Sequence, residues 1–181
     1  MLTTALVLAL CAQDFKQENK PENLKAYAAA LQKAIDAGDT KTSLAMTKSL
    51  LCDEARLKKA LKEDVAKEPL DALVKMHKGY LDTDEAKLAT ALKVKPEQTE
   101  IRVHGATTEE IAKYEKDSVA FKEFPGGARK LAETILRPGV TFYEVEFLEP
   151  GKDAGMKFHL FFWDGERWAM LGAAWRVVDK K

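Results

Sequence analysis

An α+β fold is predicted: an N-terminal helical hairpin followed by a small antiparallel sheet packed on helices. Three observations predict it. Apolar residues in the first eighty positions recur at helical spacing. The last third alternates with period two and is broken by Pro-Gly and Asp-Gly pairs. Helices come first and strands later, rather than alternating, which favours an antiparallel sheet over a parallel one.

Pro21 and Glu22 open the first helix, with Leu24, Tyr27, Ala28, Leu31 and Ile35 on one face. Gly38 stops it, and Asp39 or Thr40 caps a second helix whose Leu44, Leu50, Leu51, Leu57, Leu61 and Val65 run on to Lys67. The short joint makes the two antiparallel neighbours. No second copy at a fixed period follows, so a helical-repeat array is not predicted. Pro69 suits the first turn of a third helix, which Gly79 ends. Leu88, Ala91 and Leu92 favour a short helix before Pro96.

Residues 99–105 alternate and read as the first strand, and Thr107 with Glu110 marks a capping box for a helix through Tyr114. Pro125-Gly126-Gly127 opens another helix, with Ala128, Leu131, Ile135 and Leu136 facing the core. Strands follow over 140–148 and 156–163, then Asp164-Gly165 turns the chain into a third strand reaching about Leu171. Trp175 to Val178 suits a final edge strand. The organisation is therefore a signal peptide over 1–12, a helical hairpin or extension over 13–80 and a sheet domain over 81–181.

Lys+Arg and Asp+Glu each number 29, so the net charge is zero. Nucleic acid is not an expected partner, because phosphate neutralisation needs a basic excess. The opening MLTTALVLALCA is uncharged, with an unbroken apolar run from Ala5 to Leu10. A helix of 12 residues spans about 18 Å, short of a hydrocarbon core of about 30 Å, so no membrane span is expected. A short secretory leader cleaved near Ala12 is the reading, and with it an exported, periplasmic or secreted location. Cys11 sits in a lipobox-like Leu8-Ala9-Leu10-Cys11, but Leu10 stands where a small residue belongs. Cys52, among Leu50, Leu51 and Leu57, reads as a buried inert thiol, and no disulfide framework is expected.

A two-residue Asp164-Gly165 loop pairs Trp163 with Glu166, Phe161 with Trp168 and His159 with Met170 on one face. Phe162 with Arg167, Leu160 with Ala169 and Phe158 with Leu171 take the other. Both faces are then apolar, and each needs a cover. The chain's own helices supply one; the N-terminal hairpin, a dimer partner or a ligand supplies the second. Phe161, Trp163, Trp168 and Met170 are thus candidate ligand-binding residues, with core packing as the competing role.

The ending FFWDGERWAML after VTFYEVEFLE resembles the C-terminal hairpin of exported cone-shaped proteins of the nuclear-transport-factor-two-like and cystatin-like group. The resemblance covers residues 140–178 and implies a curved sheet around a pocket, with functions from isomerases and dehydratases to binding modules. The long helical N-terminal half departs from that pattern.

Three histidines, His77, His104 and His159, show no HxH or HxxxH spacing, so no metal and no cofactor is expected. His159 is the candidate general base, with Glu144, Glu146 or Asp164 as its carboxylate partner. Glu144 and Glu146 point to one strand face, opposite Tyr143 and Val145, a pattern shared by acid–base pairs, by calcium ligands and by the solvated side of an edge strand. Gly126-Gly127-Ala128-Arg129-Lys130 has a glycine-led helix start but not the phosphate-loop spacing. These features point to a non-enzymatic binding or protein-interaction module of the cell envelope that uses the helical hairpin or the aromatic sheet face, with a protein partner or a second copy on the sheet face. The alternative is a small pocket enzyme of isomerase or dehydratase type with His159 as base.

Overall fold

The computed structural model describes residues 18–178. The leader expected over residues 1–12, Cys11 with it, and the last three residues lie outside them. Helices precede a four-stranded antiparallel sheet of order β1-β2-β3-β4, a mixed α+β fold as predicted. In chain order the elements are α1 (Pro21–Asp36), α2 (Thr40–Leu50), α3 (Glu54–Ala60), α4 (Lys67–Leu81), α5 (Glu85–Ala89) and β1 (Glu100–Thr107). Then come α6 (Thr108–Lys113), α7 (Val119–Glu123), α8 (Gly126–Thr134), β2 (Thr141–Leu148), β3 (Met156–Trp163), β4 (Trp168–Met170) and α9 (Trp175–Val178). Among the described residues no helix is long and apolar enough to cross a membrane.

Both faces of the sheet are covered, by different helices. On the first face Phe142, Leu160 and Phe162 pack with Leu57 and Leu61, Leu73 of α4, Ile111 of α6 and Leu131 of α8. On the second, Tyr143, Val145, Phe147, Phe161 and Trp168 meet Leu24, Tyr27, Leu31 and Ile35 of α1 and Met46 and Leu50 of α2. The N-terminal hairpin is therefore the second cover. Its own joint is fixed by Gly38 at φ +67° and by Asp39, whose carboxylate accepts the Thr42 N–H. Tyr27 locks α1 to α2 by donating its hydroxyl proton to the Met46 carbonyl at 2.6 Å.

The long second helix expected through Lys67 is instead broken at residues 51–53. Leu51 is extended, and the Asp53 carboxylate caps α3 by accepting the Arg56 N–H. Local hydrogen bonding by the aspartate outcompetes helical continuation there. The third helix runs past Gly79 to Leu81. Cys52 is buried, its thiol pushed up to about 11 by that burial. Its N–H donates to Nδ1 of His77, whose burial pushes the imidazole down to about 4.

Two corrections concern the sheet. The terminal hairpin turns over four residues, 164–167, and pairs Trp163 with Trp168, Phe162 with Ala169 and Phe161 with Met170. The Asp164 carboxylate accepts the N–H groups of Glu166 and Arg167, while Asp164 N–H donates to the Arg167 carbonyl. A slip of two residues preserves side-chain parity, so Phe161, Trp163, Trp168 and Met170 still share a face. Residues 175–178 form the short helix α9 rather than an edge strand. Trp175 there lies over Gly127 so closely that a Cβ on Gly127 would sit 2.3 Å from its ring. Packing thus explains the second glycine of the α8 start, Gly127, but not Gly126, whose Cβ position is open.

Candidate functional site

The first face of the sheet is divided. One half is the apolar core under α6–α8; the other is polar. Strand alternation and the antiparallel register set Arg102 opposite Glu146 and His104 opposite Glu144, across β1 and β2. Lys157 of β3 stands opposite Glu146 on its other side. β2 is an interior strand, so its two glutamates are not the solvated side of an edge. Their side chains are 0% and 4% exposed. Around them His104, Glu123 of α7, Lys157 and His159 are between 22% and 27% exposed. The result is a floor of two buried carboxylates with half-open walls.

A β-bulge decides where His159 goes. Tyr143 pairs with Phe161 but Val145 pairs with Phe158, so His159 and Leu160 together oppose Glu144. Leu160 takes φ +56°, a conformation leucine adopts at a cost of about 1–3 kcal/mol, and its side chain is fully buried in the first core. The extra residue carries His159 to the face opposite Phe161, Trp163, Trp168 and Met170, so the expected placement of His159 beside Met170 is overturned. The bulge instead clamps Glu144. Its Oε2 is 2.5 Å from His159 Nδ1, and its Oε1 accepts the Leu160 N–H at 3.4 Å. Burial pushes the Glu144 carboxyl above its ordinary value, partly offset by His159. On its other side the His159 ring meets Trp175 edge-on, with centroids 5.3 Å apart.

Glu146 is held through one oxygen only: Oε1 accepts the Gly155 N–H at 2.9 Å. Oε2 lies 3.6 Å from His104 Nε2, and Glu123 Oε2 lies 3.7 Å from the same nitrogen. Lys157 donates to Glu123 Oε2 at 2.6 Å. Partial burial would raise the Glu123 carboxyl, but the Lys157 hydrogen bond and the charges of His104, Lys157 and Arg102 hold it below its ordinary value.

Of the residues singled out in the sequence, Glu144 and Glu146 do share one face, and His159 joins them with Glu144 as its carboxylate. Asp164 does not; it pairs with Arg56 at the hairpin turn. Phe161, Trp163, Trp168 and Met170 lie in or against the second core, with Trp168 2% and Phe161 4% exposed. Trp175 is on the first face. His104, Glu123 and Lys157 were not anticipated as site residues. Alternation over 99–105 could have placed His104 and Arg102 together, but Glu123 sits on a five-residue helix with no clear periodicity. Grooves at Arg56, Asp164 and Arg167, of about 460 Å³, and between α1 and residues 94–99, of about 330 Å³, do not include His159.

No protein-family model matches this chain, and neither a curated protein nor a solved structure is significantly similar to it.

Proposed function

We propose that this chain is a non-enzymatic binding module and that it takes a small charged ligand on the polar half of the sheet. The observation that carries the reading is the pair of buried carboxylates, Glu144 and Glu146, at the floor of a face that stays partly open. Burying carboxylates is costly, and placing them beside imidazoles and an ammonium suits a polar ligand better than a core. The aromatic face is a poorer candidate because α1 and α2 cover it. The module works outside the cytoplasm, in the envelope setting implied by the apolar leader over residues 1–12 and by the cystatin-like resemblance. Sequencing the N terminus of protein from its native cells tests that setting; a chain retained in the cytoplasm from Met1 refutes it.

Binding is tested by calorimetric titration with spermidine and divalent cations. The wild type is expected to bind at least one of these, and Glu146→Gln to weaken it at least about tenfold. Glutamine keeps the acceptor for Gly155, so the fold should survive. Silence toward every solute, or binding indifferent to Glu146→Gln, defeats the reading.

A second reading is favoured by one contact, the Nδ1 of His159 on Glu144. A carboxylate so placed orients an imidazole for general-base work through its other nitrogen. His159→Gln separates the two readings: the module keeps its affinity within a few-fold, whereas the base loses turnover with binding and stability intact.

A further inference from the structure

We propose that His104 Nε2, Glu123 Oε2 and Glu146 Oε2 form a binding site for a zinc-class divalent cation, with Lys157 as the tethered cation that it displaces. The inference rests on the binding reading above and names its ligand class.

The three donor atoms come from β1, α7 and β2 and lie within 4.8 Å of one another. His104 Nε2 stands 3.6 Å and 3.7 Å from the two carboxylate oxygens. Those separations are too long for hydrogen bonds. They are close to the edge of a tetrahedron built on bonds of 2.0–2.1 Å, which is about 3.4 Å. Modest inward movement of three side chains therefore completes a one-histidine, two-carboxylate set. That set is the nitrogen and oxygen chemistry of zinc rather than the all-oxygen chemistry of magnesium or calcium.

A second observation concerns burial rather than spacing. His104 Nε2 is buried and has no hydrogen-bond partner. Buried polar atoms are nearly always partnered, so an orphan nitrogen facing two carboxylates needs a reason. A metal ion supplies one. The supporting shell is also present, because the Gly155 N–H fixes Glu146 through Oε1 and leaves Oε2 toward His104.

Lys157 shows that the site already demands positive charge. Its ammonium is 2.6 Å from Glu123 Oε2 and 3.9 Å from Glu146 Oε1. With His104 counted as the neutral imidazole that a metal ligand must be, Glu123, Glu146 and Lys157 sum to minus one, which a divalent ion in place of the ammonium neutralises. The lysine side chain is 25% exposed.

The test uses the full chain, freed of metal by chelator and titrated calorimetrically with zinc chloride, with cobalt(II) absorption reporting geometry. One ion per chain and a tetrahedral cobalt spectrum are expected. His104→Gln and Glu146→Gln should each weaken zinc at least about tenfold, and Lys157→Met should tighten it about tenfold. Melting curves of the unliganded variants show that they fold. The inference is overturned by the absence of zinc binding, by binding that the His104 and Glu146 variants leave unchanged, or by Lys157→Met weakening it. If zinc is silent while spermidine binds in a Glu146-dependent way, the metal inference alone falls. If every solute is silent, the binding reading falls with it.

Discussion

Trp168→Ala is expected to lose about 3–5 kcal/mol of folding stability, the cost of emptying a large aromatic site in a packed core. Trp168 is 2% exposed and belongs to the second core. Its ring meets Tyr143 edge-on at 5.5 Å and Trp163 at 5.3 Å, so truncation removes two aromatic contacts as well as its own buried area. The pairing of Trp163 with Trp168 is the last of the ladder before the turn. A melting temperature lower by about 10 °C or more, with the denaturant midpoint reduced and the slope unchanged, is the expected readout. A Trp168→Ala protein as stable as the wild type would mean that this face is an open surface rather than the interior between sheet and hairpin.

Arg56→Met should cost a similar amount, about 3–5 kcal/mol, for a different reason. The Arg56 guanidinium is buried and nearly saturated. Nε donates to the Asp164 carboxylate, Nη1 to the carbonyls of Ser49 and Leu51, and Nη2 to the carbonyl of Trp168. One side chain thereby ties the break between α2 and α3 to the terminal hairpin. Methionine fills most of the volume but strands Asp164, whose side chain is 6% exposed, together with three carbonyls. Adding Asp164→Asn should restore part of the loss, and the double-mutant cycle measures the coupling.

The same pair sets an acid limit. Burial alone would raise Asp164, but the N–H groups of Arg167 and Glu166 and the Arg56 guanidinium hold it below the ordinary aspartate value of 3.8. A carboxyl depressed in the folded state stabilises above its unfolded value, and the contribution fades as pH falls from there through the folded one. Arg56→Met should flatten that acid limb only in part, because the turn N–H groups of Arg167 and Glu166, each of which lowers Asp164 more than the Arg56 hydrogen bond does, remain. An unchanged acid limb in the variant would show that the ion pair does not set it.

Much of the architecture was legible in local chemistry. The 3.6-residue spacing of Leu24, Leu31 and Ile35 marks a helix face, and Thr107 with Glu110 forms the capping box that the pattern implies. Alternation over β2 and β3 determines which side chains share a face. It places Phe161, Trp163, Trp168 and Met170 together even though the hairpin pairing is two residues from the expected one. Parity survives such a slip because the strand period is two.

What the sequence could not decide depends on partners far along the chain. The length of the hairpin turn follows from Asp164 turning its carboxylate onto its own backbone, where Arg56, 108 residues away, meets it. The position of His159 follows from one extra residue in β3, held by the burial of Leu160 and by Glu144 accepting from both sides of the bulge. Whether the second sheet face was core or surface turned on where α1 and α2 docked, since an apolar strand face is the same in sequence under either cover. His104, Glu123 and Glu146 carry no ligand spacing because they sit on three separate elements. Periodic local forces act over a few residues and can be read directly. A bulge, a long-range ion pair or a three-element cluster exists only once packing has selected one arrangement from many that local preference allows equally.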